Sequence, residues 1–124
     1  MSTQDTCCTI VPYFKVSNDQ LEDFKKLCKQ FVAKTSEEKK CRYYGFSFDG
    51  NEVCCREGYE DAAGLFAHLD NVGALLEQAH KIASITRLEV HGPEEELMKL
   101  RGPLVALKPR FFTLEFGFRR ELSD

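Results

Sequence analysis

The chain has 124 residues, 43% hydrophobic and 30% charged, with a formal net charge of −3. That length supports one buried core, so a single domain over residues 1–124 with its core at about 7–118 is expected. The acidic balance argues against nucleic acid or an anionic membrane as partner, and no apolar run reaches the roughly 18 residues a spanning helix needs.

The opening stretch MSTQDTCCTIVPYF has neither a basic segment nor the long apolar run of a secretion signal, so a cytoplasmic protein is expected. Cys7 to Val16 is rich in β-branched and aromatic residues and predicts a strand, with Pro12 pointing to an edge or a bulge because it donates no ladder bond. Ser17 and Gln20 fit a capping box with Val16 and Leu21 as a hydrophobic staple. Leu21, Phe24, Leu27, Cys28, Phe31 and Val32 then recur at helical spacing to about Lys34.

Cys41 to Glu57 reads as a hairpin. Placing Asp49-Gly50 in a two-residue turn pairs Phe46 with Val53, Tyr44 with Cys55 and Arg42 with Glu57 on one face. The other face sets Tyr43 near Arg56, within reach of a cation–ring contact. A second helical stripe follows through Ala62, Leu65, Phe66, Leu69, Val72, Leu76, Ala79 and Ala83, with Asp70-Asn71 and Gly73 marking a kink or restart. Ser84 to His91 alternates like a strand, with Ile85, Arg87, Glu89 and His91 on one side. Gly92-Pro93 and Gly102-Pro103 bracket a short helix whose first turn is Glu94, Glu95 and Glu96. Arg110 to Phe118 is expected as a last strand, with Phe112, Leu114, Phe116 and Phe118 on one face.

The order β-α-β-β-α-β with a helix and strand appended is the α+β, ferredoxin-like split βαβ arrangement on an antiparallel sheet. Two helices cover only one sheet face, and the other carries aromatic residues here. A symmetric homodimer closing two sheets into a dimeric α+β barrel is therefore expected.

The REGYEDAAGLFAHLDN segment, the TRLEVHGP junction and the late aromatic strand PRFFTLEF resemble the antibiotic biosynthesis monooxygenase family of dimeric α+β barrels. The resemblance spans Cys7 to about Phe118. It implies a homodimer with a pocket between sheet and helices in each subunit. It also implies cofactor-independent monooxygenation of a quinol or phenol, or, as the alternative, non-catalytic binding of a small hydrophobic ligand. Family members often carry a histidine early in the second helix, which places His68 as the candidate base, supported by Tyr43 or Tyr44. The bland role for His68 is a hydrogen bond at the helix kink, and for Asn71 a cap on the restarted helix. The chain has no tryptophan, unlike haem degraders and polyketide oxygenases of the group, which places those activities in doubt.

Further candidates for the ligand pocket are Phe66 and Asn71, together with the polar set Arg56, Arg87, Glu89, His91 and Glu115. That set would grip a polar ligand or form a dimer interface or solvated rim. His80 falls in the apolar stripe and reads as a core residue. Six cysteines without a secretion signal read as reduced thiols. Adjacent Cys7-Cys8 and Cys54-Cys55 point to opposite strand faces, so no metal site is expected.

Overall fold

A computed structural model describes residues 5–120 of the protein. Five strands, β1 (Cys8–Val16), β2 (Cys41–Asp49), β3 (Glu52–Tyr59), β4 (Ala83–Gly92) and β5 (Arg110–Thr113), form one sheet in the order β2-β3-β1-β4-β5. All pairings are antiparallel except β4 with β5. Helices α1 (Leu21–Thr35), α2 (Ala62–Asn71), α3 (Gly73–His80) and α4 (Glu94–Arg101) complete the α+β fold. Among the described residues no helix is long and apolar enough to cross a membrane.

Alternation along β1 divides the sheet. Cys8, Ile10, Phe14 and Val16 enter the core, where Phe14 and Val16 meet Phe24, Phe31, Val53 and Leu75, and Cys8 and Ile10 meet Tyr59, Leu65, Leu97 and Leu100. Phe24, Leu27, Cys28 and Phe31 are the buried stripe of α1. Val32 is 44% exposed, because it lies past the edge of the contact with the sheet. At the other stripe α2 ends at Asn71 and α3 restarts at Gly73, so the kink falls at Val72; Ala83 belongs to β4 rather than to the helix.

The hairpin keeps its faces but not its expected register. Gly50 and Asn51 are the turn residues and Asp49 is still in β2, so Phe48 pairs with Val53, Phe46 with Cys55 and Tyr44 with Glu57. Gly50 alone takes a positive φ in the turn, +62°, as when glycine leads a II′-type turn. The Arg42–Glu57 pair therefore does not form; Arg42 reaches Glu60 at 2.5 Å. On the outer face the Arg56 guanidinium lies 5.5 Å from the Tyr43 ring centre. Gly58 makes room for that ring, since a Cβ there would come within 2.2 Å of it.

Pro12 sits in the central strand, buried. The β1–β3 pairing skips from Ile10 to Tyr13, and the β1–β4 register shifts between Tyr13 and Phe14. The gap in the β1–β3 ladder accommodates the missing N–H, and the shift against β4, where Thr86 has no register partner in β1, turns Ile85 to the inner face although Arg87, Glu89 and His91 face outward. The last strand is shorter than its aromatic alternation suggests. After Thr113 the chain leaves the sheet, Leu114 N–H donating to the Gly92 carbonyl at 2.7 Å, and Phe116 and Phe118 are about four-fifths exposed.

Candidate functional site

Between the inner sheet face and the helices lies a cavity of about 210 Å³, walled by apolar side chains such as Ile10, Phe31, Phe46 and Leu88. Its polar groups are few: Tyr44 from β2, Cys55 and Glu57 from β3, His68 from α2, and His80. The helix that delivers His68 is firmly started. Asp61 accepts the Gly64 N–H at 2.9 Å and is held by Lys40, while Glu96 accepts the Ala62 N–H at 3.0 Å. Leu65, His68 and Val72 then share the face turned to the sheet.

His68 is 3% exposed and stands between two carboxyl groups. Its Nδ1–H donates to Glu38 Oε2 at 2.9 Å, and its Nε2 lies 3.3 Å from Glu57 Oε1. Tyr59 O–H donates to the same Glu57 oxygen at 2.6 Å. The Tyr44 and Tyr59 rings bracket the imidazole, with centres 5.2 and 5.0 Å away. Glu38 is itself fixed by Asn71, whose Nδ2–H donates to Glu38 Oε2 at 2.8 Å and to the Lys34 carbonyl at 3.2 Å.

Burial decides the protonation pattern. It pushes the Glu57 carboxyl up to about 7, against the lowering effect of donors from Tyr59 and Cys55, so the acid holds its proton for part of the time at neutral pH. Burial also lowers His68, opposed by Glu38, which keeps the imidazole largely neutral near pH 7. Tyr44, Tyr59 and Cys55 are raised by burial and then by the neighbouring Glu57, and stay protonated. The arrangement is a proton donor and a proton acceptor side by side under an apolar roof, able to exchange a proton with a bound molecule.

The sequence-predicted residues divide between the two sheet faces. His68 and Tyr44 meet in the cavity. Tyr43 does not: it is on the outer face, where its hydroxyl and that of Thr9 lie 3.1 Å apart. Arg56, Arg87, Glu89 and His91 are outward too, for the same period-two reason, and cannot reach the cavity. Glu89 there is ion-paired with Arg87 and lies 3.2 Å from His91, whose ring stacks on Phe112 at 4.8 Å. Glu115 is exposed beside this face because the chain has left the sheet by then. Phe66 packs in the other core cluster, beside Leu65 and Leu97, rather than in the cavity wall. Asn71 does not cap the restarted helix α3, which begins after Val72; its side chain holds Glu38 and the Lys34 carbonyl at the end of α1. His80 is exposed at the cavity rim rather than buried.

The outer face carries a larger concavity of about 720 Å³, lined by Thr9, Tyr43, Arg56, His91 and the segment after Thr113. It is open to solvent; Asp5 and Arg119 are ion-paired within it, and Arg56 lies over the Tyr43 ring. The enclosed cavity, with the buried Glu57–His68 pair, is therefore the candidate site. Sequence reasoning missed Glu38, Glu57 and Tyr59. Glu57 had a signal, a carboxylate on the core face of a strand beside Val53 and Cys55; Glu38, in a polar loop, had none. Among the described residues no three histidine, cysteine, aspartate or glutamate side chains are arranged to hold a metal ion.

No protein-family model matches the sequence, and no curated protein does. Solved structures do. The chain is 51% identical to MupZ from Pseudomonas fluorescens, covering 97% of this chain and 94% of that one with a TM-score of 0.92. Rv0793 from Mycobacterium tuberculosis matches at 22% identity and TM-score 0.62, over 70% of this chain and 94% of that one. A structure described as an antibiotic biosynthesis monooxygenase matches at 17% identity and TM-score 0.59, over 67% and 92%.

Proposed function

The chain belongs to the antibiotic biosynthesis monooxygenase family of α+β barrels, and on that premise we propose that it is a proton-transfer enzyme acting on a small apolar molecule held against Glu57 and His68. Oxygenation of a phenol or quinol without a cofactor is the form of this chemistry that the family suggests. The substrate hydroxyl gives its proton to neutral His68. The electron-rich ring then reacts with dioxygen, one oxygen atom entering the product as a quinone carbonyl and the other leaving as water. Tyr44, beside the imidazole, orients the hydroxyl. The observation that carries the reading is the buried His68 with Glu38 fixing one ring nitrogen and Glu57 at the other.

A panel of phenols and quinols in an oxygen electrode tests it. His68→Ala is expected to cut turnover by about two to four orders of magnitude, the usual range for losing a general base. Equal turnover by the variant refutes the role. Saturable binding with no conversion places the protein as a binder of small hydrophobic molecules. The donor–acceptor pairing of Glu57 with His68 also suits a redox-neutral acid–base conversion, in which product forms at unchanged mass without oxygen uptake.

The functional form is a homodimer in this proposal. The outer sheet face and the exposed Phe116 and Phe118 supply apolar area for a second copy, and contiguous exposed apolar area of this kind marks association sites.

A further inference from the structure

The cavity lining contains no lysine or arginine. His80 is at the rim and open to solvent, and His68 is the one inner group able to carry a positive charge. Its Nδ1–H is already committed to Glu38, and its burial opposes a second proton. An anionic group brought to the floor would meet Glu57 and the neighbouring Glu38 with no counter-charge, and a charge taken out of water without a partner is heavily penalised.

A neutral oxygen meets the opposite situation. Glu57 in its acid form is a donor, as is the Tyr44 hydroxyl, and Glu57 Oε1 is already occupied by Tyr59. We propose that the cavity selects uncharged small molecules that present a carbonyl, ether or hydroxyl oxygen to the Glu57 carboxyl, and turns away carboxylates and phosphates. This rests on the reading of the cavity as the substrate site and names the class of molecule it takes. The volume of about 210 Å³ corresponds to roughly seven water volumes, enough for one small ring and its substituent. A charged part of a larger substrate therefore stays outside the rim. The same balance constrains the chemistry: a substrate that loses a proton here is tolerated while that proton stays on His68 or Glu57, because the enclosed charge is then unchanged.

The groups facing Glu57 are Tyr44 from β2, Cys55 and Tyr59 from its own strand, His68 from α2, and Glu38 beyond the imidazole. Burial pushes the Glu57 carboxyl up to about 7, so it passes from acid to carboxylate as pH rises from 6 to 9, while burial holds His68 below its ordinary value. The selection should follow that titration.

Three probes matched in shape test this: acetophenone, benzoate and ethylbenzene, titrated into the wild-type protein at pH 6 and pH 9 with the His68 and Tyr44 ring resonances as reporters. Acetophenone is expected to bind about tenfold tighter than either of the others at pH 6, and about tenfold weaker at pH 9 than at pH 6. Glu57→Gln keeps an N–H donor and cannot ionise, so its affinity for acetophenone should be the same at both pH values. Benzoate binding as tightly as acetophenone overturns the proposal, and so does an unchanged pH dependence in the variant. Shifts at neither reporter with any probe remove the cavity as a ligand site altogether. Selective binding of acetophenone with no oxygen uptake on any phenol leaves this inference standing and sinks the oxygenase reading alone.

Discussion

Replacing Glu57 by glutamine should change how stability depends on pH, by an amount set by the site. Burial raises this carboxyl from its ordinary 4.5 to about 7 in the folded protein. Between those values the folded state holds one proton more than the unfolded chain. The stability that Glu57 contributes is therefore fully present below about pH 4.5 and is lost as pH rises through about 7. A gap of about 2.5 pH units at roughly 1.36 kcal/mol each gives about 3 kcal/mol. Glutamine has no such titration and still offers an oxygen to the Tyr59 hydroxyl. The stability of Glu57→Gln relative to the wild type should thus increase by about 3 kcal/mol between pH 4.5 and 8. His68 acts in the other direction, since its folded value is depressed: its contribution is present above about pH 6.5 and is lost as pH falls. It occurs in both proteins and largely cancels in the difference. Urea unfolding at four pH values across this range measures the effect. A difference constant with pH would show that the carboxyl is not held in its acid form by burial.

Tyr59→Phe removes a donor that lowers the Glu57 value, so the loss of stability should move to higher pH, read from the same urea series or from a ¹³C titration of the Glu57 carboxyl. The wild-type protein should sediment near twice its 14.2 kDa mass at micromolar concentration, and Phe116→Asp or Phe118→Asp should dissociate it or lower its solubility. A wild-type monomer would contradict the homodimer. All six cysteines should react with a thiol reagent after denaturation without reductant. In the native protein half-buried Cys41 and Cys54 should react first, because Cys7, Cys8, Cys28 and Cys55 are buried away from the reagent.

Order of elements and the identity of the faces were legible because period-two and helical patterns depend on burial alone. Leu21 to Phe31 and Ala62 to Ala79 carry that signal strongly, as does β1. Register was not, because Asp49-Gly50 and Gly50-Asn51 both satisfy turn chemistry and both leave Tyr44, Phe46 and Phe48 on one face. The choice moved Glu57 from a partner of Arg42 to a neighbour of Tyr44 and hid its role. The gap in the β1–β3 ladder at Pro12 was foreseeable from the missing N–H, but the shift that turns Ile85 inward arises separately, in the pairing of β1 with β4. His68 could be singled out from the helix pattern. Its partner Glu38 comes from 30 residues earlier in a polar loop, and only the folded chain brings the two together.

Two carboxyls, an imidazole and two tyrosines gathered under a hydrophobic roof are a costly way to build the inner face of a sheet. Isosteric apolar side chains at Glu57 and His68 would fill the same space without the desolvation of an acid, and buried ionisable pairs are commonly neutral or unfavourable for stability against such replacements. The hydrogen bonds offset part of the cost and also restrict the geometry. Asn71 holds Glu38, Glu38 holds one side of His68, and Tyr59 holds the Glu57 oxygen that faces the other side. A cluster that served packing alone would need neither this chain of orientation nor an acid poised near neutral pH. The cavity beside it gives both a purpose, since a proton held at about 7 is the one most easily given and taken back in water at that pH.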